Sequence, residues 1–224
     1  MFTHAYHHSR TDCWFCLASA GCEKHLIVDV GESVYVAQPK GPLVKTHSLI
    51  VPLAHDGVGS FVGGAAEEVK SYVTKLVKHA RNEGDELFVF ERAVETRGGY
   101  HSHVQCIPVE REKVPKLHEM VKHGASKLGV PLKELQNEGV SMKAIVDGCE
   151  YFYMEVPNVG GAPSRFAVKL ERGAGGKIPL QFGREIAAVA LGMSERGHWK
   201  ACVESEDVEK ATAMSFRESF AKLA

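Results

Sequence analysis

The sequence predicts an α+β fold in two unequal parts, on three observations. Short Val- and Ile-rich runs bounded by Gly or Pro recur through the first hundred residues. Two stretches repeat apolar positions at three-and-four spacing, and a strand, strand, helix, helix series follows a Gly- and Pro-interrupted boundary. With 224 residues, 44% of them hydrophobic, the chain can build one substantial core or two small ones. A net charge of −1 excludes whole-molecule attraction to nucleic acid or membrane, so any such binding comes from a local patch. No run approaches a membrane span and no basic-then-apolar leader opens the chain, which therefore reads as intracellular. In that setting its six cysteines are thiols or metal ligands rather than a disulfide framework.

Residues 1–12 lack periodicity and read as a tail. After Cys13-Trp14-Phe15-Cys16, strands are expected at His25–Val30, Val34–Ala37 and Ser48–Val51. Val69, Tyr72, Val73, Leu76, Val77 and Ala80 line one face of a helix over Ala65–Arg81. Glu86–Glu91 and His101–Val109 are further strands, and Val114–Leu128 returns to helical spacing. Residues 131–150 form a connecting segment, broken by Pro131, Gly139 and Gly148, with one helical turn expected at Leu132–Gln136. Beyond it come strands at Tyr151–Val156 and Arg165–Leu170, a Gly-rich loop at 173–176, and helices from about Gln181 and Asp207, all expected to pack on the first part. The loop lacks full P-loop spacing and reads as a hairpin connection.

Two motifs carry chemistry. On an extended strand His101, His103 and Gln105 project to one face while Ser102, Val104 and Cys106 face the other. An imidazole can attack phosphorus, bind metal or move a proton, and a carboxamide can hold a phosphoryl oxygen. Cys13 and Cys16 form a C-x-x-C pair able to chelate one ion, and the strand-then-helix setting of a redox dithiol is missing around them. Tetrahedral zinc needs two more ligands, and the sequence offers His55 and His101. If both join the pair, they make one closed, structural site that ties the Cys13–Cys16 knuckle to the third strand and the motif strand; His55 taken alone reads as a loop histidine. Cys22, Cys106, Cys149 and Cys202 stand alone and are assigned to packing.

The combination C-W-F-C-L, K-H-L-I-V, K-G-P-L-V, His47 ahead of L-I-V-P with His55, F-V-F-E-R, and H-x-H-x-Q followed by I-P-V resembles the first module of the CwfJ C-terminal family, a relative of the histidine-triad (HIT) superfamily. Tyr151–Val156, and above all Pro179-Leu180-Gln181-Phe182-Gly183-Arg184-Glu185 with Trp199 and Cys202, resemble its second module. The resemblance implies a HIT-like antiparallel sheet with flanking helices over 13–130, joined through 131–150 to a C-terminal β-β-α-α module over 151–224. It implies mRNA splicing and intron-lariat turnover, spliceosomal or lariat-debranching partners, and a nuclear location. Many relatives carry an N-terminal metallophosphoesterase-like region that this sequence lacks, so that activity does not carry over.

Within the superfamily the middle histidine is the nucleophile, which is His103 here. Gln105 matches the third position of the uridylyltransferase and dinucleoside polyphosphate phosphorylase branch. Zinc-bearing members join their first histidine to a C-x-x-C pair and another histidine, which supports Cys13, Cys16, His55 and His101 as ligands. If the module is catalytic, His103 attacks a nucleotide or RNA-end phosphorus, Gln105 holds a non-bridging oxygen, and His47 and the Gly98-Gly99 backbone approach the phosphate. The rival reading is a binding module without turnover, in which the same pocket, or the basic residues Arg165, Lys169, Arg172, Lys177 and Arg184, recognise a phosphate or an RNA segment. Arg184, inside the matching block, is the strongest of these. Glutamine is common at the middle position among CwfJ relatives, so the resemblance leaves binding and catalysis both open.

Overall fold

Leu87–Phe90 and Tyr151–Met154 are buried at every position, which a strand allows only when both faces of its sheet are covered. The computed structural model describes residues 13–55, 59–94, 101–135, 142–146, 148–170 and 178–223. Its elements run β1 (Ile27–Val30), β2 (Val34–Ala37), β3 (Ser48–Pro52), α1 (Ala66–Asn82), β4 (Asp85–Ala93), β5 (Val104–Glu110) and α2 (Val114–Leu128). They continue with β6 (Lys133–Glu134), α3 (Met142–Val146), β7 (Glu150–Val156), β8 (Ser164–Leu170), α4 (Phe182–Ala190) and α5 (Glu206–Ala221). This is an α+β architecture. Among the described residues every strand joins one antiparallel sheet, in the order β1-β2-β3-β5-β4-β7-β8-β6.

The sheet crosses the expected boundary. β7 pairs directly with β4, from Val89 opposite Glu155 to Ala93 opposite Tyr151, so the second part extends the first sheet edge to edge. Alternation then sorts side chains into two cores. Val89, Cys106 and Tyr153 face α1 and α5, where Val69, Leu76 and Phe216 are buried against them. Phe88, Phe90, Ile107 and Met154 face α2 and α4, where Leu117, Val121, Phe182 and Ile186 meet them. A fully buried side chain such as Leu117 contributes about 1.5–3 kcal/mol through its burial alone. A Cβ on Gly183 would lie 2.5 Å from the Phe90 ring, so this glycine lets the start of α4 press onto the sheet.

Two expectations need correction. The motif strand begins at Val104, not His101: β3 and β5 pair only as far as Ile50 opposite Val104. One more pair along, the ladder would need the N–H of Pro52, which does not exist. Leu132–Gln136 is not a helical turn, because Lys133 and Glu134 pair with Ala167 and Phe166 of β8, while Gln136 lies outside the described residues. The short helix α3 went unread. Gly98, Gly99, Arg172, Lys177 and the 173–176 loop also lie outside the described residues.

Candidate functional site

On the α2/α4 side of the sheet, α4 stops short of β1–β3. Tyr35, Ala37, Leu49 and Val51 are covered there by Phe15 and Leu17 of the knuckle. Between knuckle, sheet and the start of α4 lies a cavity of about 580 Å³. Its lining includes His101, His103, Gln105 and Arg184, so residues from both halves of the chain share it.

The knuckle is anchored by four donors. Cys13 Sγ lies 3.4 Å from His101 Nδ1, and Cys16 Sγ lies 3.2 Å from His55 Nδ1 and 3.6 Å from His101 Nδ1. All four ligand atoms fall within 4.8 Å of one another. Metal–sulfur and metal–nitrogen bonds of about 2.3 and 2.0 Å at tetrahedral angles place sulfur and nitrogen about 3.5 Å apart, which these separations match. His101 Nε2 donates to Pro52 O at 2.8 Å, leaving the Nδ1 lone pair for an ion. The donor set therefore fits a metal ion. Phe15 N donates to Cys13 Sγ at 3.4 Å, the amide support a thiolate ligand needs. Cys22 is half-buried nearby but outside the set.

His103 and Gln105 are half-buried and line the cavity. The Phe15 ring stacks on His103 at 4.7 Å between centroids. His103 Nδ1 faces the His101 carbonyl at 3.4 Å, so Nδ1 carries the proton in neutral imidazole and Nε2 keeps its lone pair. Desolvation holds the His103 pKa down to about 4, against the smaller opposing effect of that carbonyl.

His47 is fully buried and does not line the cavity. Leu43 N donates to its Nδ1 at 3.1 Å, so the ring proton sits on Nε2. That atom faces the Gln105 side chain without closing a full hydrogen bond. Burial and the nearby Arg184 charge keep His47 neutral, its pKa well below the ordinary range. The residue expected to touch phosphate is thus buried beside Gln105 and outside the cavity lining.

Arg184 is 2% exposed. Its Nε and Nη2 donate to Arg196 O at 3.3 and 3.2 Å, and Nη2 also to Cys202 Sγ at 3.1 Å. Among the described residues no carboxylate pairs with it, and Nη1 makes no hydrogen bond. A buried guanidinium without a counter-charge is costly unless an anion completes it. Arg165 and Lys169, on β8, do not line the cavity. Cys106 and Cys202 are buried as expected, whereas Cys149 is exposed.

Sequence reasoning missed Trp14, Lys40 and Arg92 as cavity residues, and used Trp199 only as part of a resemblance. Lys40 bridges Glu23 and the buried Glu209 of α5, both at 3.1 Å, and so ties the cavity rim to the last helix. Among the described residues no helix is long and apolar enough to cross a membrane.

Two family models match the chain. "Protein similar to CwfJ C-terminal" covers residues 3–122, and "Protein similar to CwfJ C-terminus 2" covers residues 126–223. The chain is 32% identical over 213 residues to CWF19-like protein 1 of Mus musculus, covering 93% of this chain and 38% of that protein. It is 30% identical over 218 residues to zinc finger CCCH domain-containing protein 59 of Oryza sativa subsp. japonica, covering 94% and 34%. It is 30% identical over 224 residues to CWF19-like protein mug161 of Schizosaccharomyces pombe, covering 93% and 37%. The chain spans a little over a third of the length of the curated relatives it matches.

Proposed function

The chain belongs to the CwfJ C-terminal family, and on that premise we propose that it is a nuclear RNA-processing factor whose cavity binds a nucleotide or the phosphate end of an RNA. Residues 13–130 are read as a HIT-like module and 151–224 as a second module that completes its pocket. The observation that carries the reading is the buried Arg184, which no carboxylate among the described residues pairs, opening on the same cavity as His103 and Gln105. Arg184 Nη1 supplies charge-assisted donors to a phosphate, and the Gln105 amide holds a second oxygen. With His47 Nε2–H turned toward the Gln105 carbonyl oxygen, the Gln105 NH₂ faces the cavity. The family's association with splicing and intron-lariat turnover supports RNA as the source of the phosphate.

Cys13, Cys16, His55 and His101 are read as the ligands of a structural zinc ion. With all four positions filled by protein, zinc supplies local stability and offers no open position to substrate. The chain's part is to hold the knuckle, and with it Phe15, against His103.

A second reading is favoured by the His103 tautomer. With Nδ1 protonated toward the His101 carbonyl, the Nε2 lone pair is available for attack on phosphorus. The N–P bond forms as the bond to the leaving oxygen breaks; water then opens the phosphoramidate, restoring the imidazole and releasing the phosphate.

Equilibrium binding of a 5′-phosphorylated oligoribonucleotide against its 5′-hydroxyl counterpart tests the first reading. A phosphate preference that Arg184→Gln abolishes is expected, and equal affinities for the two RNAs overturn it. The second is tested with labelled nucleotides, dinucleoside polyphosphates and 5′-adenylylated RNA, looking for an acid-labile adduct that His103→Ala loses.

A further inference from the structure

The buried stripe of α5 begins on a charge. Its buried residues are Glu209, Ala213, Phe216 and Phe220, spaced as one inward-packing face of a helix. The last three are apolar, whereas Glu209 is 3% exposed and leaves Oε1 without a hydrogen bond. Ahead of Ala213 the one buried residue of the helix is thus a carboxylate. An apolar side chain of similar volume would serve stability at least as well there, so the charge calls for another reason.

What meets Glu209 is a closed ring of alternating charge. Its Oε2 lies 2.9 Å from His25 Nε2 and 3.1 Å from Lys40 Nζ. Glu23 closes the ring from the other side, with Oε2 3.5 Å from His25 Nδ1 and Oε1 3.1 Å from Lys40 Nζ. Further along α5, Arg217 donates to the backbone oxygens of Ile27 and of His25, the latter at 3.0 Å. The helix therefore holds the Lys24–Leu26 turn by both the ring and the carbonyl of His25. The remaining charges near this imidazole are Lys24, its neighbour in the chain, and Glu206 of α5, which is paired with Lys210 at 2.6 Å while Asp207 also faces Lys210.

The ring balances only when His25 carries a proton. Both ring nitrogens then donate, each to its own carboxylate, and two cations face two anions. Without that proton one nitrogen turns a lone pair toward a carboxylate oxygen, and Lys40 alone faces two anions, one of them buried. Lys40 keeps its charge: burial would lower its pKa, but hydrogen bonds to Glu209 and Glu23 outweigh burial and raise it. Among carboxylate, ammonium and imidazole, the imidazole is the group whose charge changes near neutral pH.

We propose that α5 is a pH-sensitive latch, closed when protonated His25 completes the ring with Glu23, Glu209 and Lys40, and loosened when that proton leaves. Glu23 and Lys40 also line the cavity, so the latch sets how firmly the cavity rim is held, whatever the cavity binds. The far end of the helix is anchored separately, by Phe216 and Phe220 and by Ser219 Oγ, 2.8 Å from His79 Nε2. His79 acts in the opposite sense. Desolvation lowers its pKa, with Glu83 opposing more weakly, so its protonation loosens that end only in acid. A loosening on raising the pH therefore belongs to the first turns of α5.

Hydrogen exchange of the full chain tests the latch, read by mass spectrometry on peptides of α5 and α2 and corrected for the intrinsic effect of pH on exchange. From about pH 6 to about 8, the range in which histidines change charge, protection of residues 209–216 is expected to fall about 3- to 10-fold beyond any change in α2. That factor is roughly the difference between a charged and a neutral hydrogen bond. His25→Gln and Glu209→Gln should each make α5 follow α2 across the whole range, and either variant decides the matter if the other does not fold. Protection of α5 that runs parallel to α2 in the wild type overturns the latch, as does a fall that persists in either variant.

Discussion

Arg184 reaches Cys202 rather than a carboxylate: its Nη2 donates to the sulfur at 3.1 Å while the same guanidinium opens on the cavity. Sulfur and the Arg196 carbonyl hold the fork in place without neutralising it, which keeps its charge for an anion. Arg184→Met should therefore separate binding from stability. Losing a charged hydrogen-bond pair to phosphate should weaken a phosphate-bearing ligand by roughly 10- to 100-fold. Replacing a buried charge that no carboxylate among the described residues balances by an apolar chain of similar length should leave the melting temperature unchanged or raise it. Calorimetry and a thermal melt on one preparation check both. A large fall in melting temperature would instead make Arg184 a structural residue.

His47 makes the opposite case. Removing a fully buried ring leaves the Leu43 N–H without an acceptor, at a cost of about 1–3 kcal/mol in stability. His47→Ala should also free the Gln105 amide to turn over, which side-chain amide resonances read directly. The Gln105 pair of signals should shift or broaden in the variant while those of Gln181 stay put. Unmoved Gln105 signals would remove His47 from the positioning of that group.

The four-donor cluster was legible because its pieces are chemically rare. A C-x-x-C pair and two histidines at strand ends suffice to suggest one ion, and Cys13, Cys16, His55 and His101 do converge. The strand alternation around Gln105 was legible for the same local reason, since Leu49 and Phe90 oppose it in the sheet. The start of that strand was not, because it depends on Pro52 lying across the ladder, a fact of register rather than of spacing. Nor was the edge-to-edge joining of β7 to β4, or the meeting of Trp14 with Trp199, since no periodicity links segments so far apart in the chain. His47 was placed one layer too close to the cavity for a related reason: burial is decided by what packs over a residue, and its ring is held by the Leu43 N–H.

Chelation and cysteine exchange separate the members of the four-donor cluster from their neighbour. Wild-type protein and Cys22→Ser should each retain one zinc per chain, whereas Cys13→Ser and Cys16→Ser should retain far less. Cys16 is buried and close to both histidines, so its loss should cost the most in stability. Zinc analysis after dialysis against a chelator, together with a melt, settles the order. Full zinc occupancy in Cys16→Ser would refute the donor set.

Glu91 is a buried carboxylate with a structural task. It is 1% exposed, accepts from Ser60 N at 2.7 Å on Oε1 and from the Tyr151 hydroxyl at 2.5 Å on Oε2, and so pins the segment before α1 to β7. Burial raises its pKa despite these donors. Glu91→Gln offers one acceptor oxygen where several donors converge, so it should destabilise by roughly 2–4 kcal/mol in urea unfolding. Tyr151→Phe removes a single donor and should cost nearer about 1 kcal/mol. Ligand affinity should hold in both.

The grip of Gly41 on Trp199 gives the clearest separation of backbone strain from contact. Gly84 and Gly41 both have positive φ, at +92° and +65°. A Cβ on Gly84 meets nothing within 4 Å, so Gly84→Ala should cost only the left-handed penalty of about 1–2 kcal/mol and leave emission unchanged. A Cβ on Gly41 would collide with backbone, Trp199 O at 2.2 Å and Cys202 C at 3.1 Å, neither of which can rotate away. Gly41→Ala should therefore cost clearly more than Gly84→Ala and, because the turn that carries Trp199 must shift, change the tryptophan emission maximum as well. Equal losses in the two variants, with unchanged emission in both, would mean that the turn yields without cost and that Gly41 does not fix the backbone at Trp199.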